Sequence, residues 1–146
     1  IIKKIIAETE NLSSAKKLSV YIKFCDRMVP KNDSFMVQGE QLLCYSMLAN
    51  LLKNSIEASP MAVPITVYLT EKNETALISI YNQGAVPIEI REKFFDKYTT
   101  AGKSDGTGLG TYSAKLMAET QGGSIRMETS EETGTIVTVQ LSKGLV

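Results

Sequence analysis

The chain has 146 residues, 43% of them hydrophobic, and its 16 basic residues balance 16 acidic ones. That length fits one domain with a sizeable core, and zero net charge excludes a global field that would draw in nucleic acid or an anionic membrane surface. With no histidine and two distant cysteines, Cys25 and Cys44, the chain excludes an imidazole base or phosphoacceptor of its own and any recognisable zinc site, and its thiols are expected to be reduced and partly buried, as in a cytoplasmic setting.

Taken from the N-terminus, Ile1, Ile2, Ile5, Ile6, Thr9 and Leu12 recur at helical spacing. "IIKKII" lacks a signal-peptide pattern, and no apolar run approaches the roughly 18 residues of a membrane span, so no direct membrane contact is expected. A start inside a helical pattern predicts a piece cut from a longer protein. Val20, Ile22 and Phe24 then alternate as in a half-buried strand, "MVPKND" predicts a turn, and "SFMV" a short strand. "GEQLLCYSMLANLLKNSIEAS" predicts a helix of about five turns ended by Pro60. Residues 65–70 and 75–81 read as a hairpin around "EKNE", and 124–130 and 135–141 as a second around "EETG". Between the hairpins lie a Gly- and Thr-rich loop and a helix-like "GTYSAKLMAETQGG" closed by two glycines. These elements predict an α/β two-layer sandwich, an antiparallel or mixed sheet covered by helices.

Along the long helix, Leu43, Met47, Asn50, Asn54 and Glu57 share one face, apolar at its start and polar at its end, while Leu48, Leu51, Leu52 and Ile56 form the surface expected to pack on the sheet. Asparagine competes for backbone hydrogen bonds and is a poor helix former, so Asn50 and Asn54 are not there for propensity. Two readings stand: they bond a neighbouring loop, or their amide oxygens face a hydrated Mg²⁺ whose charge is balanced by nucleotide phosphates. Glu57 is a poor phosphate contact, because like charges oppose.

Ile78, Ile80 and Asn82 share strand parity, so isoleucines in the core carry Asn82 to the inner mouth of the sheet. There it either centres a turn or reads a base edge, with Gly84 letting the backbone approach a ligand. Thr135 shares parity with Val137, Val139 and Leu141, which brings its hydroxyl beneath the same pocket. Gly106, Gly108 and Gly110 precede the last helix. They form either a flexible turn or a cradle in which backbone N–H groups and the helix start receive phosphate oxygens. The string lacks the terminal Gly-Lys-Ser/Thr of a P-loop, and no parallel βαβ unit makes it a dinucleotide fingerprint. Lys103, just upstream, is either solvated or closes over the phosphates.

In order, "ANLLKNSIEAS", "NQGAVP", "FFDKYTTAG" and "GTGLGTYSAKLMAETQGG" resemble the asparagine, first glycine, phenylalanine and second glycine boxes of the ATP-binding catalytic domain of two-component sensor histidine kinases. This domain shares its fold with gyrase B, the Hsp90 chaperones and MutL. The resemblance runs over nearly the whole chain and implies a single catalytic domain, 1–146, with a mixed, mainly antiparallel sheet, helices on one side, and ATP held under a lid. It implies that Asn54 coordinates Mg²⁺, and that Gly106, Gly108, Leu109 and Gly110 surround the phosphates with Lys103 as a lid contact. Phe95 and Tyr98 match the aromatics that anchor the lid. Asn50 falls where hydrolysing relatives carry a glutamate base; an amide cannot be that base, which favours phosphotransfer and leaves Asn50, Asn54 and Lys103 as the catalytic set.

Asn82 replaces the aspartate that accepts a hydrogen bond from the adenine amino group, Val86 the second glycine of that box, and Glu57 a basic phosphate contact. Asparagine keeps a carbonyl acceptor, so the adenine end is expected to be weakened and usable, with Gly84 and Thr135 beside it. The implied partners are a helical dimerisation domain carrying the acceptor histidine, absent from these residues, and through it a response regulator. An anti-sigma-factor-like serine kinase and a degenerate binding module without transferase activity are the alternatives.

Overall fold

Hydrophobic periodicity turns into burial most clearly in the long helix. In the computed structural model, which describes residues 1–25, 35–99 and 108–144, α3 (Gln41–Ala58) buries Met47, Leu48, Leu51, Leu52 and Ile56, each at most 5% exposed. Each such side chain contributes about 1.5–3 kcal/mol relative to an exposed position. The Glu40 carboxylate accepts from the Leu43 amide at the N-terminus of α3, and the chain leaves the helix in extended geometry at Ser59, directly before Pro60.

Five strands follow the predicted alternation: β1 (Val20–Cys25), β2 (Ile65–Lys72), β3 (Thr75–Asn82), β4 (Ser124–Ser130) and β5 (Gly134–Ser142). Their order is β1-β2-β3-β5-β4, with β1 parallel to β2 across the α3 crossover and every other pair antiparallel. The expected two-layer sandwich with a mixed, mainly antiparallel sheet is the observed fold. Ala76, Ile78 and Ile80 of β3 and Val137, Val139 and Leu141 of β5 face the helices. α4 (Gly110–Thr120) lies against α3 in the same layer, where Ala114 and Ala118 are fully buried and allow close approach.

The N-terminal helix differs from its sequence pattern. It is divided at Thr9 into α1 (Ile2–Glu8) and α2 (Glu10–Ala15), with the Thr9 hydroxyl turned back to the Ile5 and Ile6 carbonyls at 2.9 and 3.1 Å. Ile5 reaches the core, whereas Leu12, beyond the break, stays 41% exposed. Among the described residues, the predicted "SFMV" strand is reduced to one bridge between Val37 and Lys143. The "MVPKND" turn lies outside the described residues. The first hairpin is longer than predicted: β2 runs on to Lys72, because Asn73 takes a left-handed backbone (φ 55°) that closes a two-residue turn before Thr75, and β3 runs on to Asn82. No helix among the described residues is long and apolar enough to cross a membrane.

Candidate functional site

Between α3 and the ends of β3 and β5 lies a cleft of about 560 Å³, counting its open mouth. Asn54 and Ala58 wall it from α3, Asn82 and Thr135 from the sheet, and Thr111 from the first turn of α4. Gly84, Val86 and Ile90 from the β3–α4 connection close the remaining side. Four residues singled out from sequence, Asn54, Asn82, Gly84 and Thr135, thus meet although up to 81 positions separate them.

Asn82 ends the Ile78–Ile80 row and is paired in register with Thr135. Its side chain is 3% exposed, and Nδ2 donates to the Gln83 carbonyl at 3.0 Å. A carbonyl only accepts, so the amide nitrogen must face it, leaving Oδ1 as an acceptor. Beneath Asn82 runs a directed chain of hydrogen bonds. The Thr135 hydroxyl donates to the Gly84 carbonyl at 2.7 Å, so in the 2.9 Å pair with Thr129 the proton must come from Thr129. Thr129 in turn accepts from the Val86 amide at 2.9 Å. Arg91 Nε donates to the Val86 carbonyl at 2.8 Å, so both peptide groups of this residue are held. Residues 84–86 are pinned to β4 and β5, which gives this end of the cleft a fixed wall.

At the opposite end, Leu109 is the N-cap residue of α4, and its own side chain makes no cap hydrogen bond. The first N–H groups of α4 carry the partial positive charge of the helix dipole. Gly108 has φ +70°, and a Cβ there would collide with the backbone of Tyr98. The Tyr98 amide donates to the Gly108 carbonyl at 2.7 Å. Among the described residues, a Cβ on Gly110 would meet nothing within 4 Å. The Thr111 hydroxyl donates to the Phe94 carbonyl at 2.6 Å, tying the helix start to the aromatic segment.

The aromatic expectation is divided. Phe95 packs on the core and meets Phe94 edge to face, with ring centres 4.9 Å apart. Tyr98 does not pack: its side chain is 73% exposed, and its contact with the glycine segment runs through its backbone, held at φ 62°. Asn50, one turn before Asn54, is half-buried on α3 and does not line the cleft. Glu57 is exposed at the end of the helix. Lys103 and Gly106 lie outside the described residues. Thr129, Thr111, Phe94 and Ala58 were missed by sequence reasoning. A threonine on the inward parity of β4 opposite Thr135 was the available signal for the first, and nothing local marked the others.

Among the described residues no group of three or more carboxylates or thiols is placed to hold a metal. Asn54 brings a neutral amide to the cleft, a donor type that suits a hydrated Mg²⁺ carried in by phosphates.

Residues 39–145 match the family model described as "Histidine kinase-, DNA gyrase B-, and HSP90-like ATPase". Sporulation kinase A of Bacillus subtilis (strain 168) is 25% identical over 145 residues, 97% of this chain and 23% of that protein. Sensor histidine kinase WalK of the same organism is 31% identical over 123 residues, 79% of this chain and 20% of that protein. The chain therefore spans less than a quarter of either relative's length. In fold it is similar to the catalytic domain of histidine kinase ThkA, with a TM-score of 0.80 at 22% identity over 97% of this chain and 91% of that one. ThkA is also known in complex with the response regulator protein TrrA, where the TM-score is 0.75 at 20% identity, covering 98% of this chain and 39% of that one.

Proposed function

We propose, on the premise that this chain belongs to the histidine kinase-, DNA gyrase B-, and HSP90-like ATPase family, that it binds Mg-ATP and supplies the γ-phosphate to a histidine on a helical dimerisation domain. The chain has no histidine, so that acceptor sits outside these 146 residues. From there the phosphoryl group passes to a response regulator, as the known ThkA–TrrA complex suggests by analogy. The domain works on the cytoplasmic side as the nucleotide-holding half of a two-component kinase.

The observation that carries this reading is the meeting of Asn54, Asn82, Gly84 and Thr135 in one cleft that also reaches the first turn of α4 through Thr111. Oδ1 of Asn82 accepts from the adenine amino group, with Gly84 and Thr135 forming the floor. Asn54 holds Mg²⁺, which when bound neutralises phosphate charge in the transfer. Gly108, Leu109 and Gly110 offer backbone N–H groups to the phosphates, and Lys103 and Gly106 complete that loop in this reading. Asn50 has no carboxylate to activate water, which favours transfer over hydrolysis. Phosphoryl transfer needs little covalent help from the protein, so placement and charge neutralisation suffice.

Calorimetric titration of ATP into wild type and Asn54→Ala tests the reading. The variant is expected to lose affinity at least tenfold in magnesium, about 1.4 kcal/mol, and much less in excess chelator. Equal losses under both conditions make Asn54 structural. A folded wild type that ignores millimolar ATP marks the chain instead as a binding module without transferase activity, the reading that Asn82 and Val86 would then favour.

A further inference from the structure

Lys16 lies outside the stretch matched by the family model, yet its side chain ends on the helix that walls the cleft. Its Nζ donates to the Glu57 carbonyl at 2.6 Å and to the Ser59 carbonyl at 2.9 Å. The last carbonyls of α3 need partners from elsewhere, because the chain turns extended at Ser59 and Pro60 has no N–H to offer. An ammonium group there satisfies two of them and sits at the negative end of the helix dipole. The backbone repeats the connection: the Ala62 amide donates to the Lys16 carbonyl and the Ile65 amide to the Ser19 carbonyl, both at 2.9 Å.

Between the two clamped carbonyls lies Ala58, which lines the cleft together with Asn54. The Ala58 carbonyl stands against Gly84, so close that a Cβ added to the glycine would lie 3.2 Å from it. Gly84 is the residue whose carbonyl receives the Thr135 hydroxyl. A continuous contact thus leads from Lys16 through the end of α3 to the base end of the cleft.

We propose that Lys16 is a positioning residue of the nucleotide site: its ammonium holds the α3 terminus against the Gly84 loop, so the N-terminal segment sets the width of the base end and with it nucleotide affinity. This role rests on the ATP-binding reading above. Because the clamp acts on Ala58 and Gly84, it governs the base and not the metal, which separates it from the role of Asn54. Withdrawal of residues 10–17 from the end of α3 then lowers affinity for any adenine nucleotide, whether or not magnesium is present.

The test titrates Mg-ATP, and separately ADP in excess chelator, into wild type, Lys16→Met, Lys16→Arg and the surface control Lys4→Met, each checked for folding by circular dichroism. Lys16→Met is expected to weaken both nucleotides by the same factor, about fivefold. Lys16→Arg restores both to within about twofold, since guanidinium can donate to two carbonyls, and Lys4→Met changes neither. Should Lys16→Met fail to fold, Lys16→Gln takes its place with the same expectation. Unchanged binding in Lys16→Met, a loss confined to Mg-ATP, or no recovery with arginine overturns the role of Lys16 while leaving the ATP-binding reading in place. A wild type that binds neither nucleotide overturns both.

Discussion

Asn82 does two things with one side chain: its Nδ2 binds the Gln83 carbonyl and its Oδ1 remains as an acceptor inside a nearly closed position. Replacing it by aspartate separates these roles. A carboxylate makes a stronger bond to an exocyclic amino group, so Asn82→Asp is expected to tighten ATP by about 0.5–1.5 kcal/mol. GTP gains little, because guanine presents a carbonyl at the corresponding edge. The same carboxylate loses the donor that met Gln83 and turns a buried acceptor towards another acceptor, so the nucleotide-free variant is expected to be less stable by about 1–3 kcal/mol. Calorimetry with both nucleotides and a denaturant melt without nucleotide measure the two effects. Equal tightening of ATP and GTP means that Asn82 does not read the base, and unchanged stability means that the Gln83 contact carries no weight.

Helix starts and their preceding glycines divide the work at the other end of the cleft. Gly108 is required by shape, since φ +70° and the Tyr98 backbone leave no room for a side chain. Gly110 is not, because its Cβ position is open among the described residues and it is the first residue of α4. Gly108→Ala is therefore expected to destabilise the fold by more than about 1 kcal/mol. Gly110→Ala is expected to be neutral or stabilising by up to about 1 kcal/mol, alanine being the better helix former, while weakening ATP if a phosphate approaches this backbone. Thermal melts and nucleotide titrations of both variants distinguish the roles. A Gly110→Ala protein that gains stability and binds ATP as before places the phosphates away from the start of α4.

At the scale of the whole molecule, the two long helices are tied together at one point remote from the cleft. The Gln121 side chain, just past α4, accepts from the Glu40 amide at 2.8 Å and from the Cys44 thiol at 3.3 Å. Burial pushes the Cys44 thiol above its ordinary value of 9.0, and the nearby Glu40 charge adds to this. The unfolded chain therefore releases this proton at lower pH than the folded one. Stability from this residue is fully present below pH 9 and is lost as pH rises above it. Denaturant melts from neutral pH to pH 10 are expected to fall more steeply for wild type than for Cys44→Ala, and identical slopes overturn this linkage. Cys25, half-buried at the end of β1, is expected to react with a thiol reagent ahead of Cys44.

Local pattern determined which residues lie on which face. Alternation in β3 and β5 carried Asn82 and Thr135 to the same end of the sheet, and the steps along α3 put Asn54 beyond its buried leucines. These assignments need only the periods of strand and helix, which every residue carries with it. Pairing across the chain was decided elsewhere. The Thr129 hydroxyl meets the Val86 amide 43 residues away, and Lys16 reaches Glu57 across 41. Neither threonine nor lysine signals such a partner locally, because a hydroxyl can pair with almost any polar neighbour, and an ammonium can donate to almost any acceptor, that packing brings within about 3 Å. Tyr98 shows the same limit from the other side: an aromatic residue promises a buried ring, yet a left-handed backbone at Tyr98 turns the ring to solvent and leaves the peptide group to hold Gly108. Periodicity could place the ends of the elements around a cleft, but only the packed sheet and helices selected which backbone groups hold that cleft in shape.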